Sequence, residues 1–258
     1  MPTFVDSRGF SARRSTGPLL SAVLAAALLL AAAPAARAAD IDSLQNLTQP
    51  QFRVLAEDLV AALSYKAISP AEPLGVTGFD LGVGLSVTET SGSVWKLATG
   101  SGTDYLPMPR LMLQKGLPFG IDVGGFYAAA PGSNIKLWGG ELKYAILEGN
   151  TVMPALAVRG AVTGMSGVDD LDVETQSVEL VVSKGLLNIT PYGGIGQVWS
   201  SVTPSSASSL GLPLRKESPS MTRVHAGLGF KVILINFAVE VDHTDTGFGA
   251  STRFGLRW

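Results

Sequence analysis

Asp242-His243-Thr244-Asp245 is the stretch of this 258-residue chain whose residue types suit general acid–base work. A carboxylate beside an imidazole can fix its tautomer and poise it to take a proton. Asp169, Asp170 and Asp172 crowd a second short stretch, a pattern that suits a solvated acidic rim or a weak contact with a divalent ion. His225 lies two residues from Arg223. It reads first as a hydrogen-bond partner for Glu240 or Glu179, and only second as a base. Gly193-Gly194-Ile195-Gly196 has no helix pattern behind it, so it lacks the N-terminal amides that turn a glycine-rich bend into a phosphate cradle. GxSxG, HExxH and P-loop spacings do not occur in a usable context, and the chain holds no cysteine for thiol chemistry or disulfides. Motifs therefore assign no catalytic residue, no metal ligand and no cofactor.

The elements that must carry these residues are strands. Phe79, Leu81, Val83, Leu85 and Val87 alternate with Asp80, Gly82, Gly84, Ser86 and Thr88. Phe248, Ala250, Thr252, Phe254, Leu256 and Trp258 alternate with Gly249, Ser251, Arg253, Gly255 and Arg257. Side chains on a strand change face at every residue, so each segment has one apolar face and one small or charged face. Further strands are expected near 105–117, 120–130, 135–147, 152–164, 173–184, 188–200, 220–231 and 234–244, which makes ten in all. Longer connections, led by 90–104 and 201–219, alternate with tight ones near 118–119, 148–151, 185–187 and 232–233. Residues 48–66 differ. Thr48 and Pro50 suit a helix start, and Phe52, Leu55, Leu59, Ala62 and Leu63 share one face, with Arg53, Glu57, Asp58 and Lys66 on the other. The competing reading is a strand from Leu59 to Ile68. Parity disfavours it, because an eleventh strand would put the N-terminus at the far side, and a helical or irregular segment on the side from which the first strand starts fits better.

The first 39 residues read as an export signal. Arg8, Arg13 and Arg14 precede an apolar run from Leu19 to Ala33, and Ala36-Arg37-Ala38 offers a cleavage site after Ala38 or Ala39. Of the 19 Lys and Arg, four (Arg8, Arg13, Arg14, Arg37) lie in that segment, with one (Asp6) of the 21 Asp and Glu, leaving 15 cations against 20 anions. This balance excludes the basic footprint of a nucleic-acid binder. The organisation expected is a signal peptide at 1–39, a periplasmic-side or lumen-plugging segment at 40–76, and a barrel at 77–258.

Alternating strands that close on the aromatic Trp258 resemble bacterial outer-membrane β-barrel proteins, whose last strand commonly ends in an aromatic residue. The resemblance implies an all-β, antiparallel transmembrane barrel in an outer membrane, in contact with outer-membrane lipid and lipopolysaccharide and handled by barrel-assembly machinery. In such a barrel Phe79, Tyr144, Phe230, Phe237 and Trp258 would form one aromatic girdle, and Tyr127, Trp138, Trp199 and Phe248 the other. The strand count and the rim position of His243 are similar to omptin proteases. A small barrel joined to an N-terminal amphipathic helix is similar to lipid A palmitoyltransferase. Neither likeness carries a catalytic residue across.

The same registers turn Asp80, Asp122, Glu141, Glu179, Glu240 and Asp242 inward, with Arg110, Lys143, Arg159, Arg223, Lys231, Arg253, Arg257 and His225. Signs so nearly balanced imply a salt-bridged interior. Inward glycines, among them Gly84 and Gly229, leave room for a segment folded into the lumen. Two functions of different class follow. One is a structural or ligand-handling barrel with narrow, restricted permeation. The other is an outer-membrane protease or lipid-modifying enzyme with a His/Asp site at the rim. Trp95 needs a place to pack, over the lumen or against lipid headgroups, and the serine-rich 201–219 connection is a candidate surface for a small ligand of unknown identity.

Overall fold

The computed structural model describes residues 40–41, 43–100, 102–205 and 214–258. The export segment and the serine-rich centre of the 201–219 connection lie outside the described residues. Among the described residues ten strands form one closed antiparallel barrel in which each strand pairs with its neighbours in sequence, and the last pairs with the first. They are β1 (Phe79–Glu89), β2 (Tyr105–Gly116), β3 (Ile121–Ala129), β4 (Lys136–Leu147), β5 (Ala155–Ser166), β6 (Leu171–Ser183), β7 (Ile189–Pro204), β8 (Ser220–Val232), β9 (Ile235–Thr244) and β10 (Gly247–Arg257). Closure removes the unpaired edges that an open sheet would expose. At the seam Asp80 stands opposite Arg257 and Val83 opposite Phe254.

The barrel has two unlike ends. The turn end gathers the connections after β2, β4, β6 and β8; the rim end gathers those after β1, β3, β5, β7 and β9. The connection after β1 holds a short helix, α2 (Gly92–Thr99), which was expected as a loop. Gly100 ends it at φ 77°, a left-handed conformation that glycine adopts without a Cβ penalty.

The N-terminal helix α1 (Gln49–Leu63) begins as its sequence requires, with Pro50 in the first turn and the Gln51 side chain accepting from the Thr48 N–H at 2.9 Å. Residues 59–68 form no strand, as parity requires, but the helix is not on the side from which β1 starts. It lies at the rim end, where Asp58 meets α2 and Gln49 meets Arg215 and Glu217 beside β7. Residues 64–74 then run back through the interior to the turn end, where β1 starts. The physical reason is the composition of the inner face. Leu106, Met108, Ile135, Leu137, Met165, Leu171, Val173, Val198, Val202 and Met221 point inward in the rim half and are buried with Phe52, Leu55 and Leu59 of α1 in one apolar cluster. The expectation of an inner face that is small or charged throughout fails in that half. Fully burying such a Leu or Phe side chain is worth about 1.5–3 kcal/mol, so the apolar stripe of α1 is drawn to the end that offers apolar partners.

Candidate functional site

The charged residues on the inner face run from the turn end through the middle of the lumen, reaching the rim side at Asp242 on β9, and Asp80, Arg110, Asp122, Glu141, Lys143, Arg159, Glu179, Arg223, His225, Glu240, Asp242 and Arg253 are all buried. Arg257 is partly buried at the mouth. Lys231 keeps the inward parity but sits so close to the turns that its side chain is exposed.

Arg159 is the hub. It holds Glu141 at 2.9 Å and Glu179 at 3.1 Å. Glu179 faces His225 at 3.4 Å and Arg223 at 3.9 Å, and Arg223 reaches Glu240 at 2.6 Å and Asp242 at 3.5 Å. On the other side Gln114 bridges Glu141 to Arg253, and Arg253 and Arg257 close on Asp80 at 2.8 and 2.6 Å. Lys143 and Asp122, direct neighbours across β3 and β4, form a separate pair at 2.9 Å. Lys143 also stands opposite Arg159, a like-charge juxtaposition that would destabilise the sheet if the carboxylates of Asp122, Glu141 and Glu179 did not flank both. Burying so many ions is tolerable only because each finds partners.

The interior segment shares this network. Lys66 lies 3.0 Å from Asp242 and donates to Thr88 at 3.1 Å. Arg253 donates to the Ala67 carbonyl at 3.2 Å, Arg159 to the Ser69 hydroxyl at 3.2 Å, and Lys143 to the Glu72 carbonyl at 2.9 Å. The Leu74 N–H donates to Asp122 at 3.1 Å. Arg110 makes no ion pair among the described residues; it donates to the Ala62 carbonyl at 3.1 Å and stacks on Phe126 at 5.0 Å. It thereby meets the electronegative C-terminus of α1, where a cation satisfies orphan carbonyls. A Cβ on Gly229 would lie 3.2 Å from Pro70, and one on Gly84 would lie 3.6 Å from Ile68, so these two glycines leave space for the segment.

Two residues placed on the polar face of the helix are buried. Lys66 lies beyond the end of α1, and Asp58 accepts from the Ser91 N–H at 2.6 Å and the Trp95 indole at 3.0 Å. Burial pushes the Asp58 carboxyl above the usual carboxylate range, partly offset by those hydrogen bonds. Trp95 is wholly buried against α1, away from the outer surface. Arg53 and Glu57 pair at 3.0 Å on the exposed face.

The acid–base tetrad does not assemble. Asp242 points inward to Lys66 and Arg223, whereas His243 is exposed on the outer face and packs on Phe248 at 4.4 Å between ring centroids. Asp245 accepts from the Thr222 N–H at 3.3 Å. His225 is buried. The aromatic residues lie on the outer face: Phe79 stacks on Trp258 at 5.7 Å and Phe230 meets Phe237 at 6.0 Å towards the turns. Tyr144 lies in the same half, while Tyr127 opposite Trp138, Trp199 and Phe248 lie towards the rim. Between them Leu81, Val83, Leu111, Leu113, Val178 and Val241 are exposed.

No protein-family model and no curated protein matches the chain. Among solved structures, the N-terminal β-barrel domain of Pseudomonas aeruginosa OprF shares 12% identity, covering 71% of this chain and 99% of that one at a TM-score of 0.37. Yersinia pestis Ail, the attachment invasion locus protein, solved with a heparin analogue, shares 13% over 70% of this chain and 98% of its own at 0.31. The KdgM porin shares 10% over 69% and 98% at 0.36. In architecture the chain is a small closed antiparallel β-barrel of ten strands.

Proposed function

We propose that this protein is a structural barrel of a bacterial outer membrane, exported by residues 1–39, whose lumen is closed to permeation by its own residues 40–76. The observation that carries this is the double filling of the lumen: α1 against an apolar inner surface, and residues 64–74 bonded to the buried ions Asp242, Arg253, Arg159, Lys143 and Asp122. Small barrels have interiors only wide enough for side chains, and one that also encloses a chain segment has no continuous water path. The exposed apolar belt supports residence in lipid, because a folded surface of that kind in water would drive association. Outer-membrane lipid and lipopolysaccharide are then its surroundings, and barrel-assembly machinery its route of insertion.

The test is planar-bilayer recording of the purified full-length protein beside a porin of known conductance. No resolved current steps are expected. Stable open currents would refute the closed lumen. An enzyme reading needs His243 or His225 in an accessible cleft with a carboxylate, and the geometry supports neither.

A further inference from the structure

Each of the four connections at the turn end carries a large apolar side chain into the open. Phe119 is 88% exposed, Val152 85%, Leu187 fully and Ile233 85%. Three of these hold left-handed backbone, with φ of 66° at Phe119, 58° at Leu187 and 57° at Ile233. A hairpin turn in water fills that position with Gly, Asn or Asp, and a β-branched residue there is a steric outlier. These turns therefore accept backbone strain to present an apolar side chain, which is advantageous only where an apolar medium receives it.

Much of the backbone of the turn end is hydrogen-bonded within the protein. The Asn150 side chain accepts from the N–H groups of both Val152 and Met153 at 2.8 Å. Lys184 donates to the Asn150 and Thr151 carbonyls at 3.0 and 2.9 Å. Leu186 and Ile189 exchange hydrogen bonds at 2.7 and 3.1 Å, and the Leu234 carbonyl accepts from the Arg257 N–H at 2.7 Å. Lys115 caps the carbonyls of Val76 and Gly78. Internal satisfaction of this kind is what a low-dielectric surrounding demands of backbone.

The belt also extends towards the tips. Ile146 and Leu147, Val182 and Ile189, and Val232 and Ile235 carry exposed apolar surface towards three of the turns. At the rim the outer face becomes polar instead, through Lys136, Asp172, Glu174, His243 and Asp245. Lys115, Lys184 and Lys231 surround the turn end, with Glu72 and Glu148 between them.

We propose that the turn end is a lipid-contact face, its four tips seated in the boundary between headgroups and acyl chains of the adjoining leaflet, with Lys115, Lys184 and Lys231 at the level of the phosphates. This rests on the membrane-barrel reading above. Long amine side chains reach from an apolar setting to a phosphate layer in this way.

The chain has no cysteine, so single probes are clean. Leu187→Cys and Ile233→Cys would be labelled with an environment-sensitive fluorophore beside Val83→Cys on the belt and Asp172→Cys at the rim. Folding is verified by heat-modifiable migration. Each is placed in vesicles of phosphatidylcholine and phosphatidylglycerol, some carrying a spin label high on the acyl chain. The expected result is lipid quenching at 187 and 233 comparable with position 83 and several-fold stronger than at 172, with aqueous iodide giving the reverse order. Turn probes that behave like position 172 while position 83 is quenched would overturn the proposal alone. An unquenched position 83 would remove the membrane reading and the proposal with it. Self-quenching that grows with protein density, without lipid quenching, would assign the tips to a second copy and overturn it too.

Discussion

Lys66→Met isolates what holds the N-terminal segment inside the barrel. The ammonium is fully buried, 3.0 Å from Asp242, and its removal leaves that carboxylate with Arg223 at 3.5 Å as its remaining cation. Removing one member of a buried ion pair costs about 3–5 kcal/mol because the other charge stays desolvated. Arg223 retains part of the compensation, so the low end applies. About 3 kcal/mol is roughly a hundredfold in the unfolding equilibrium. The assay is urea unfolding of the refolded protein in lipid, followed by tryptophan fluorescence. Exposed Arg53→Ala is the control, since its pair with Glu57 is worth about 0.5 kcal/mol at most. The double variant Lys66→Met/Asp242→Leu should recover most of the loss, because replacing a buried pair by apolar groups is often neutral or better. A Lys66→Met midpoint equal to that of Arg53→Ala, or a double variant no better than the single, would refute the reasoning.

Three further outcomes are expected. Gly229→Val should lose about 1–3 kcal/mol by overpacking Pro70, while Gly160→Ala, whose Cβ would meet Ser177 at 4.0 Å and nothing nearer, should be near neutral; equal midpoints would mean that residues 68–70 do not need that space. Trp258→Asp should lower the yield of heat-modifiable protein, since it removes the stack on Phe79 at the barrel seam, worth about 0.5–1.5 kcal/mol beyond burial, and puts a charge there; normal yield counts against that role. Asp58 has a raised folded-state pKa, so its contribution is complete below the ordinary carboxylate value near 3.9 and is lost as pH rises through the folded value. Wild type should therefore gain stability relative to Asp58→Asn as pH falls from about 7 towards 4, and a pH-independent gap in urea midpoints would show that the carboxyl does not titrate in this window.

The period of two made the barrel legible, because lipid and lumen select opposite residue types at adjacent positions, and segments such as Phe79 to Val87 carry that contrast in full. The inward parity of Asp80, Arg159 and Glu240 was legible for the same reason. Their partners were not, since pairing depends on register: Arg159 is set directly opposite both Lys143 and Glu179 only once β4, β5 and β6 are aligned. The failure of the acid–base tetrad was present in the sequence, because Asp242 and His243 are adjacent on a strand and must point to opposite faces. Trp95 was visible as a large aromatic without a home, but its partner Asp58 lies 37 positions away on the polar face of a helix.

The place of α1 turns on reach rather than on parity. An outward-running first strand fixes where Phe79 begins, yet it constrains a preceding segment only as far as the intervening chain is short. Ser64 to Gly78, fully extended, can cover about 50 Å at roughly 3.3 Å per residue, whereas an eleven-residue strand such as β1 rises about 36 Å along its own axis. The chain could cross the lumen with length to spare. What then decided the matter was matching of surfaces, the apolar stripe of α1 against the apolar inner face of the rim half. Lys66, Ser69 and the carbonyls between them lie among the buried ions. Reversing that order would have put Phe52 and Leu55 among Arg159, Glu141 and Glu179, leaving ions without partners in an apolar setting, at several kcal/mol each.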